Sequence, residues 1–297
     1  MNISYEKSEN VLLLSLALCG WKYENVYSKM RQVPDIYSKI QRELINGGFD
    51  FGVFDKYFSN RNPYWFFRWV SRHTDFPEYK LLRDATAEEA KYYKNFDEDC
   101  RLLFSSIDIS VFRGMCEPYL AAEIAKYEAR IPGLIKKATT LLPANKEITR
   151  IVICPNYLAI VGSGFAIMDG EKLIIIAGPP KNKEDDLSDL LVHEYLHSVV
   201  NPLTEKFFTK RELVTPEGIV DSFYRENHKE YWIVLNEYII RALTARVLDN
   251  PAHIEREKTK RGFSKIDEVY SEICKFPSFK REASFRDMLE GVDKILR

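Results

Sequence analysis

One stretch constrains this chain more than any other: LLVHEYLHSVVNP, residues 190–202. On a helix, four residues turn about 400° and advance about 6 Å. His193 and His197 therefore project from one face, one above the other, while Leu190, Leu191, Leu196, Val199 and Val200 cover the remaining faces. Ser188 is placed to cap this helix and Pro202 to end it. A helix apolar on most sides buries polar groups only when they have partners. Two imidazoles at this spacing reach one metal ion. Glu194, about 100° round from His193, reaches a water bound to that ion. The bland alternative is a chance HExxH in a buried helix, which leaves two histidines and a glutamate to be satisfied without a metal.

A hydrolytic zinc centre takes three protein ligands and keeps one position open for water. The continuation HExxHxxGxxH is absent, because Val200 and Leu203 stand at the positions concerned. The other common solution is a glutamate on a second helix, and YWIVLNEYIIRALTARVL, residues 231–248, offers one. Leu235, Tyr238, Ile239, Ala242 and Leu243 form an apolar helical face with Glu237 at its boundary. Glu237 is the candidate third ligand; the alternative is a surface i,i+4 ion pair with Arg241.

HEYLH at 193–197 together with NEYIIRA at 236–242 resembles the gluzincin clan of zinc metallopeptidases, the thermolysin-like architecture. The likeness covers residues 149–248. It implies a sheet whose edge strand lines a cleft, then the HExxH helix, then the glutamate helix. It also implies His193, His197 and Glu237 as ligands of Zn2+ and Glu194 as general base. A neutral donor usually assists the developing oxyanion in such chemistry; YRENHKEYW, residues 224–232, offers His228, Tyr231 and Tyr224. Thermolysin carries an acidic residue four after its glutamate ligand, orienting a ligand histidine, whereas this chain has Arg241 there. More loosely, ENVLLLSLALCGWKYEN near the start and RGFSKIDEVY later resemble a group of bacterial HExxH proteins known only as domains of unknown function.

The 297 residues suffice for about two domains. A net charge of −1 gives no electrostatic footprint for nucleic acid. The cysteines, Cys19, Cys100, Cys116, Cys154 and Cys274, are odd in number and contain no CxxC pair. Reduced, mostly buried thiols are therefore expected rather than disulfides or a cysteine zinc site. The run VLLLSLALCGW, residues 11–21, is too short to span a bilayer. The two glutamates and one lysine of the preceding MNISYEKSEN do not suit a signal peptide. A core helix and a cytoplasmic location without membrane partners follow, or a secreted one if an export signal has been trimmed.

The fold expected is α+β and mostly helical: a zincin-like core with a small mixed sheet or hairpin packed on the HExxH helix and the glutamate helix. A helical N-terminal region, 1–145, precedes the zincin-like domain, 146–297, unless the two share one core. Asn10 is read as the cap of a helix reaching Cys19 and stopped by Gly20. YSKMRQVPDIYSKIQRELI is read as helix broken near Pro34, Thr86 and Glu89 as a capping box, and Pro132 as the first turn of a helix ending before Pro143. The aromatic-dense segment 50–70 is either core or the wall of a cleft. From Thr149 onward, β-branched runs flank Asp169-Gly170, a hairpin signal. GSGFAIM, residues 162–168, is a candidate edge strand for a substrate backbone to join. Ser264–Asp267 and Ser284–Asp287 have capping-box-like spacing. His73 and His253 read as surface histidines, EREKTKR (255–261) as a solvated helix face, and KNKEDD (181–186) as a polar loop.

Three functions compete on this reading: a zinc peptidase acting on peptide or protein substrates, a zinc hydrolase of a non-peptide amide or ester, and a catalytically silent binding or regulatory protein on the same fold. An open cleft with a free strand edge favours the first and a small closed pocket the second. Protein that binds no zinc favours the third.

Overall fold

A computed structural model of the protein describes residues 2–21, 35–59, 62, 64–82, 85–143, 147–180, 187–209 and 212–297. It is α+β and mostly helical, with one small mixed sheet among the described residues. The chain divides into two units, Met1–Tyr127 with Thr149–Leu187, and Glu128–Ile148 with Ser188–Arg297.

The first unit opens with strand β1 (Asn2–Tyr5) and helices α1 (Glu9–Gly20), α2 (Asp35–Asn46), α3 (Asp55–Phe58), α4 (Tyr64–Val70), α5 (Ala87–Ser106) and α6 (Ile109–Tyr127). Strands β2 (Arg150–Pro155), β3 (Gly164–Asp169) and β4 (Lys172–Ala177) complete it. The sheet order is β1-β2-β4-β3; β1 and β4 run parallel to β2, and β3 runs antiparallel to β4. The β3–β4 hairpin turns at Gly170, whose φ of 60° lies in the left-handed region that glycine enters without strain. β3 is an edge strand of the described sheet, as the reading of residues 162–168 implies.

The domain boundary expected at residue 145 is corrected by this grouping. The sheet belongs with the N-terminal helices, whereas the HExxH helix lies in the second unit. The reason is burial: Val152, Cys154, Ile167, Ile174 and Ile176 sit in the same hydrophobic cluster as Leu13, Phe58 and Phe96. Register adds to it, because Ile3 stands opposite Ile151 and ties the first residues to β2.

The aromatic-dense segment is core. The rings of Phe54, Phe58, Phe66 and Phe96 meet at centroid distances of 4.9–6.5 Å. Their edge-to-face and stacked contacts add to the stabilisation given by burial alone. The Thr86–Glu89 capping box forms at the start of α5, and the run 11–21 lies within buried α1 up to Trp21, its C-cap. Cys19, Cys100, Cys116 and Cys154 are buried free thiols, and Cys274 is exposed. Residues 22–34, which hold the first half of the helix read around Pro34, lie outside the described residues, as does 181–186. No described helix is long and apolar enough to cross a membrane.

Several local readings are corrected. Ser8, not Asn10, caps α1 through its side chain. Asn10 is buried and its amide donates to the carbonyls of Val70, His73 and Thr74 at 3.2, 3.3 and 3.0 Å. The helix does end at Gly20, its last residue, as read; a Cβ there would overlap the ring of Phe51. His73 is buried, with Nδ1 3.0 Å from the Trp69 carbonyl, Nε2 3.4 Å from Asp97 and its ring stacked on Tyr79 at 4.3 Å.

The second unit is helical: α7 (Ile131–Leu141), α8 (Ser188–Phe207), α9 (Ser222–Asn227), α10 (Tyr231–Leu248), α11 (Ala252–Arg261), α12 (Ile266–Cys274) and α13 (Glu282–Leu296). α8 and α10 pack along one another, and α10 is in turn covered by α11, α12 and α13. Pro132 sits in the first turn of α7, as read. Pro202, by contrast, does not end α8. Its missing N–H removes one helical bond, but Thr204 is buried and the Phe207 ring meets Phe285 at 6.4 Å, so the helix continues. The spacings at Ser264 and Ser284 form no caps. The Ser264 hydroxyl donates to the Gly218 carbonyl, and Ser284 lies within α13.

Asn10→Ala removes a side-chain donor shared by three carbonyls at and just beyond the end of α4, of which that of Val70 keeps the His73 N–H. The expected loss is about 2 kcal/mol of unfolding free energy, read from the urea midpoint; an unchanged midpoint would show that the amide does not tie α1 to α4.

Candidate metal centre

His193 and His197 stand on one face of α8, and Glu237 faces them from α10. The two Nε2 atoms are 3.1 Å apart. A Glu237 carboxylate oxygen lies 3.7 Å from His193 Nε2, and its other oxygen 3.2 Å from His197 Nε2. Two atoms that each bind one tetrahedral zinc at about 2.0–2.1 Å are about 3.3 Å apart. The donor spacing, and the pairing of two imidazoles with one carboxylate, therefore fit that ion. Among the described residues, these are the three His, Cys, Asp or Glu side chains whose donor atoms converge closely enough to share a metal.

Glu237 faces the two histidines and also pairs with Arg241. Arg241 Nη2 donates to Glu237 Oε2 at 2.7 Å, so the i,i+4 ion pair forms. Both side chains are largely buried, at 8% and 12% exposure, so it is not a surface pair. The arginine holds one carboxylate oxygen while the other faces His197. Arg241 also donates to Glu257 from α11, and its guanidinium lies 4.4 Å over the Phe263 ring. It thus bridges two carboxylates in a largely dry interior, where an unpaired charge is costly.

Electrostatics follow from this arrangement. Burial pushes His193 well below the usual imidazole range, against the pull of Glu237. Burial acts on His197 in the same direction, but its hydrogen bond and charge interaction with Glu237, together with the charge of Glu194, outweigh it and leave His197 raised. Burial works to raise Glu237, yet Arg241 and the two histidines hold it well below the usual carboxylate range. Glu194 is buried on α8, near enough for its charge to be felt at His197.

The three donor candidates separate. His228 is lowered by burial, and both Glu237 and Arg241 act on it. Its ring lies 4.4 Å from that of Tyr224. Burial and the charge of Glu237 raise Tyr224, so its hydroxyl keeps its proton. Tyr231 does not join this group: it is fully buried, and its hydroxyl donates to Asp293 Oδ1 at 3.0 Å. Six residues before Glu237 on the same helix, it points about 120° away.

Sequence reasoning missed the groups behind the ligands. The segment 255–261 is not simply a solvated face, because Glu257 is 1% exposed. His253, read as a surface histidine, is buried beside it, with Nε2 3.6 Å from Glu257 and Nδ1 2.6 Å from Arg256. Arg256 also donates to Asp189, in the first turn of α8, at 2.5 Å. The i,i+4 spacing of His253, Glu257 and Arg261 was the available signal, but no local pattern tells that α11 folds back onto α10.

The fold and the site together define a mostly helical α+β protein with a partly buried His–His–Glu cluster. The chain belongs to the family described as a domain of unknown function (DUF4932), whose model matches residues 51–277. No curated protein and no solved structure matches it.

The buried imidazole of His253 is held at about 4 by desolvation and by Arg256, below its ordinary 6.5 and against the pull of Glu257. Unfolded chain takes up that proton near pH 6.5, whereas folded chain does not until near pH 4. Stability therefore falls as pH drops between these values, by up to about 3 kcal/mol. The melting temperature of His253→Gln is expected to fall less over this interval than that of wild type; parallel acid limbs would rule out this linkage.

Proposed function

We propose that this chain is a zinc-dependent hydrolase of peptide bonds. The observation that carries the reading is the convergence of His193, His197 and Glu237 within ligand distance of one another, with buried Glu194 next in sequence to the first of them. The resemblance of HEYLH and NEYIIRA to the gluzincin clan supports the same assignment.

Zinc held by these three side chains supplies Lewis-acid polarisation of a carbonyl and a water acidified toward neutral pH. The protein's own groups do the rest. His193 and His197 present Nε2 to the ion, which requires both to be deprotonated there. Glu237 brings one negative charge, and Arg241, holding its Oε2, leaves Oε1 facing His197. Glu194 accepts the proton of the attacking water and delivers it to the leaving amine. Tyr224 and His228 are neutral donors within electrostatic reach of Glu237 and are suited to the oxyanion.

Elemental analysis of the purified chain is expected to give about one zinc per wild-type molecule, in line with a three-ligand site, and none when His193→Ala is combined with His197→Ala. Absence of metal in wild type, even after zinc is added, would sink the reading and leave a binding protein. Glu194→Gln is expected to keep its zinc and lose about 100-fold or more in kcat on a peptide library.

A further inference from the structure

A cavity of about 280 Å³ lies in the second unit, where the end of α8 meets α13. Phe207, Phe208 and Leu289 give it an apolar floor, the last two of them buried. Charge comes from α13 and the residue that follows it: Arg286, Glu290, Asp293, Lys294 and Arg297. Asp293 is the deepest of these. It is 6% exposed, accepts from the Tyr231 hydroxyl at 3.0 Å and pairs with Arg297. The Phe208 ring packs on the same tyrosine, with centroids 5.9 Å apart. The walls are thus tied to the start of α10 as well as to the end of α8. The cavity still stands apart from the His–His–Glu cluster, because Phe207 lies about 15 Å along α8 from His197.

Arg286, Glu290 and Lys294 follow one another at four-residue steps along α13. Opposite charges at that spacing ordinarily pair on a helix surface. Here all three line the cavity, and among the described residues none of them has an ion pair or a hydrogen bond. The helix dipole accounts for cations at the end of α13, as with Lys294 and Arg297. It does not account for Arg286, which sits in the second turn, towards the positive end. Asp293 and Arg297 satisfy each other, so two cations and one carboxylate are left unmatched above the apolar floor. That surplus suits one negative charge. A dianion such as phosphate would be opposed by Glu290 and Asp293.

We propose that this cavity is a second ligand site, which binds a single carboxylate carried on an apolar body. Arg286 and Lys294 draw the charge, and Phe207, Phe208 and Leu289 take the body. A guanidinium fork holds a carboxylate through two parallel hydrogen bonds. Apolar walls with a few polar groups to fix orientation are the usual make-up of a small-molecule site. The carboxylate belongs either to a free aryl or acyl acid or to the C-terminal residue of a peptide with an apolar side chain. Nothing in this assignment depends on what the metal centre does.

The test is calorimetry of the full chain at low salt with four probes: phenylpropionate, its neutral amide, propionate, and acetyl-Gly-Phe with a free C-terminus. Each is titrated into wild type as purified and after a chelator has removed metal, with thermal unfolding recorded, so that a carboxylate bound to a metal ion is told apart. Phenylpropionate is expected to bind about tenfold or more tightly than its amide, which lacks the charge, and than propionate, which lacks the ring. Acetyl-Gly-Phe binding as tightly as phenylpropionate identifies a peptide C-terminus as the source; weaker binding identifies a free acid. Arg286→Gln combined with Lys294→Gln should erase the preference for acid over amide at unchanged melting temperature, and Glu290→Gln should increase it. Equal binding of acid and amide, a preference that survives Arg286→Gln with Lys294→Gln, or one that vanishes with the metal while the chain stays folded overturns the proposal.

Discussion

Two apolar helices, α8 and α10, lie against each other, and each carries ionisable groups into the space between them. Water is largely excluded there, so every charge must be met by another or by a metal. Much of the second unit follows from that demand. Glu237 needs Arg241, Arg241 then needs Glu257, and Glu257 needs α11 folded back over α10. Arg256 carries the chain of contacts on to Asp189 at the start of α8, the helix that bears the two histidines. A buried ionic network of this kind adds little net stability over a hydrophobic one. What it does provide is orientation, since it holds Oε2 of Glu237 and leaves Oε1 facing His197.

Much of the candidate centre was legible in the sequence because helical spacing is a local rule. His193, Glu194 and His197 follow from the four-residue period alone, and Glu237 from being a charge in an apolar stretch. Tyr231 was not legible as core, because its partner Asp293 is distant in sequence and no pattern announces the contact. Glu257 was misread for a related reason. Counted along the chain it lies among Arg256, Lys258, Lys260 and Arg261, which is the composition of a wet helix face, and only the fold turns it inward.

The first unit shows the same division. The Thr86 cap and the Asp169-Gly170 turn are written in a few adjacent residues and form as read. Asn10 was misread because a polar residue at a helix start looks like a cap, whereas Ser8 does that work and the amide reaches across to α4 instead. Strand β1 escaped notice altogether. Four residues, NISY, give too short an alternation to register as a strand, and their partner β2 starts at Arg150.

That pairing sets an order on synthesis. The ribosome delivers β1 first, but its neighbour emerges only after α7, a helix of the other unit, has already been made. The sheet of the first unit cannot finish until β4 is out, and α7 must wait longer still for α8. Each unit is therefore held incomplete while part of the other is translated, and contacts of such wide sequence separation form slowly. The same interleaving means that no single cut divides the chain into two intact pieces. To isolate the second unit, a protein engineer would have to join Ile148 directly to Ser188 and discard the residues between them.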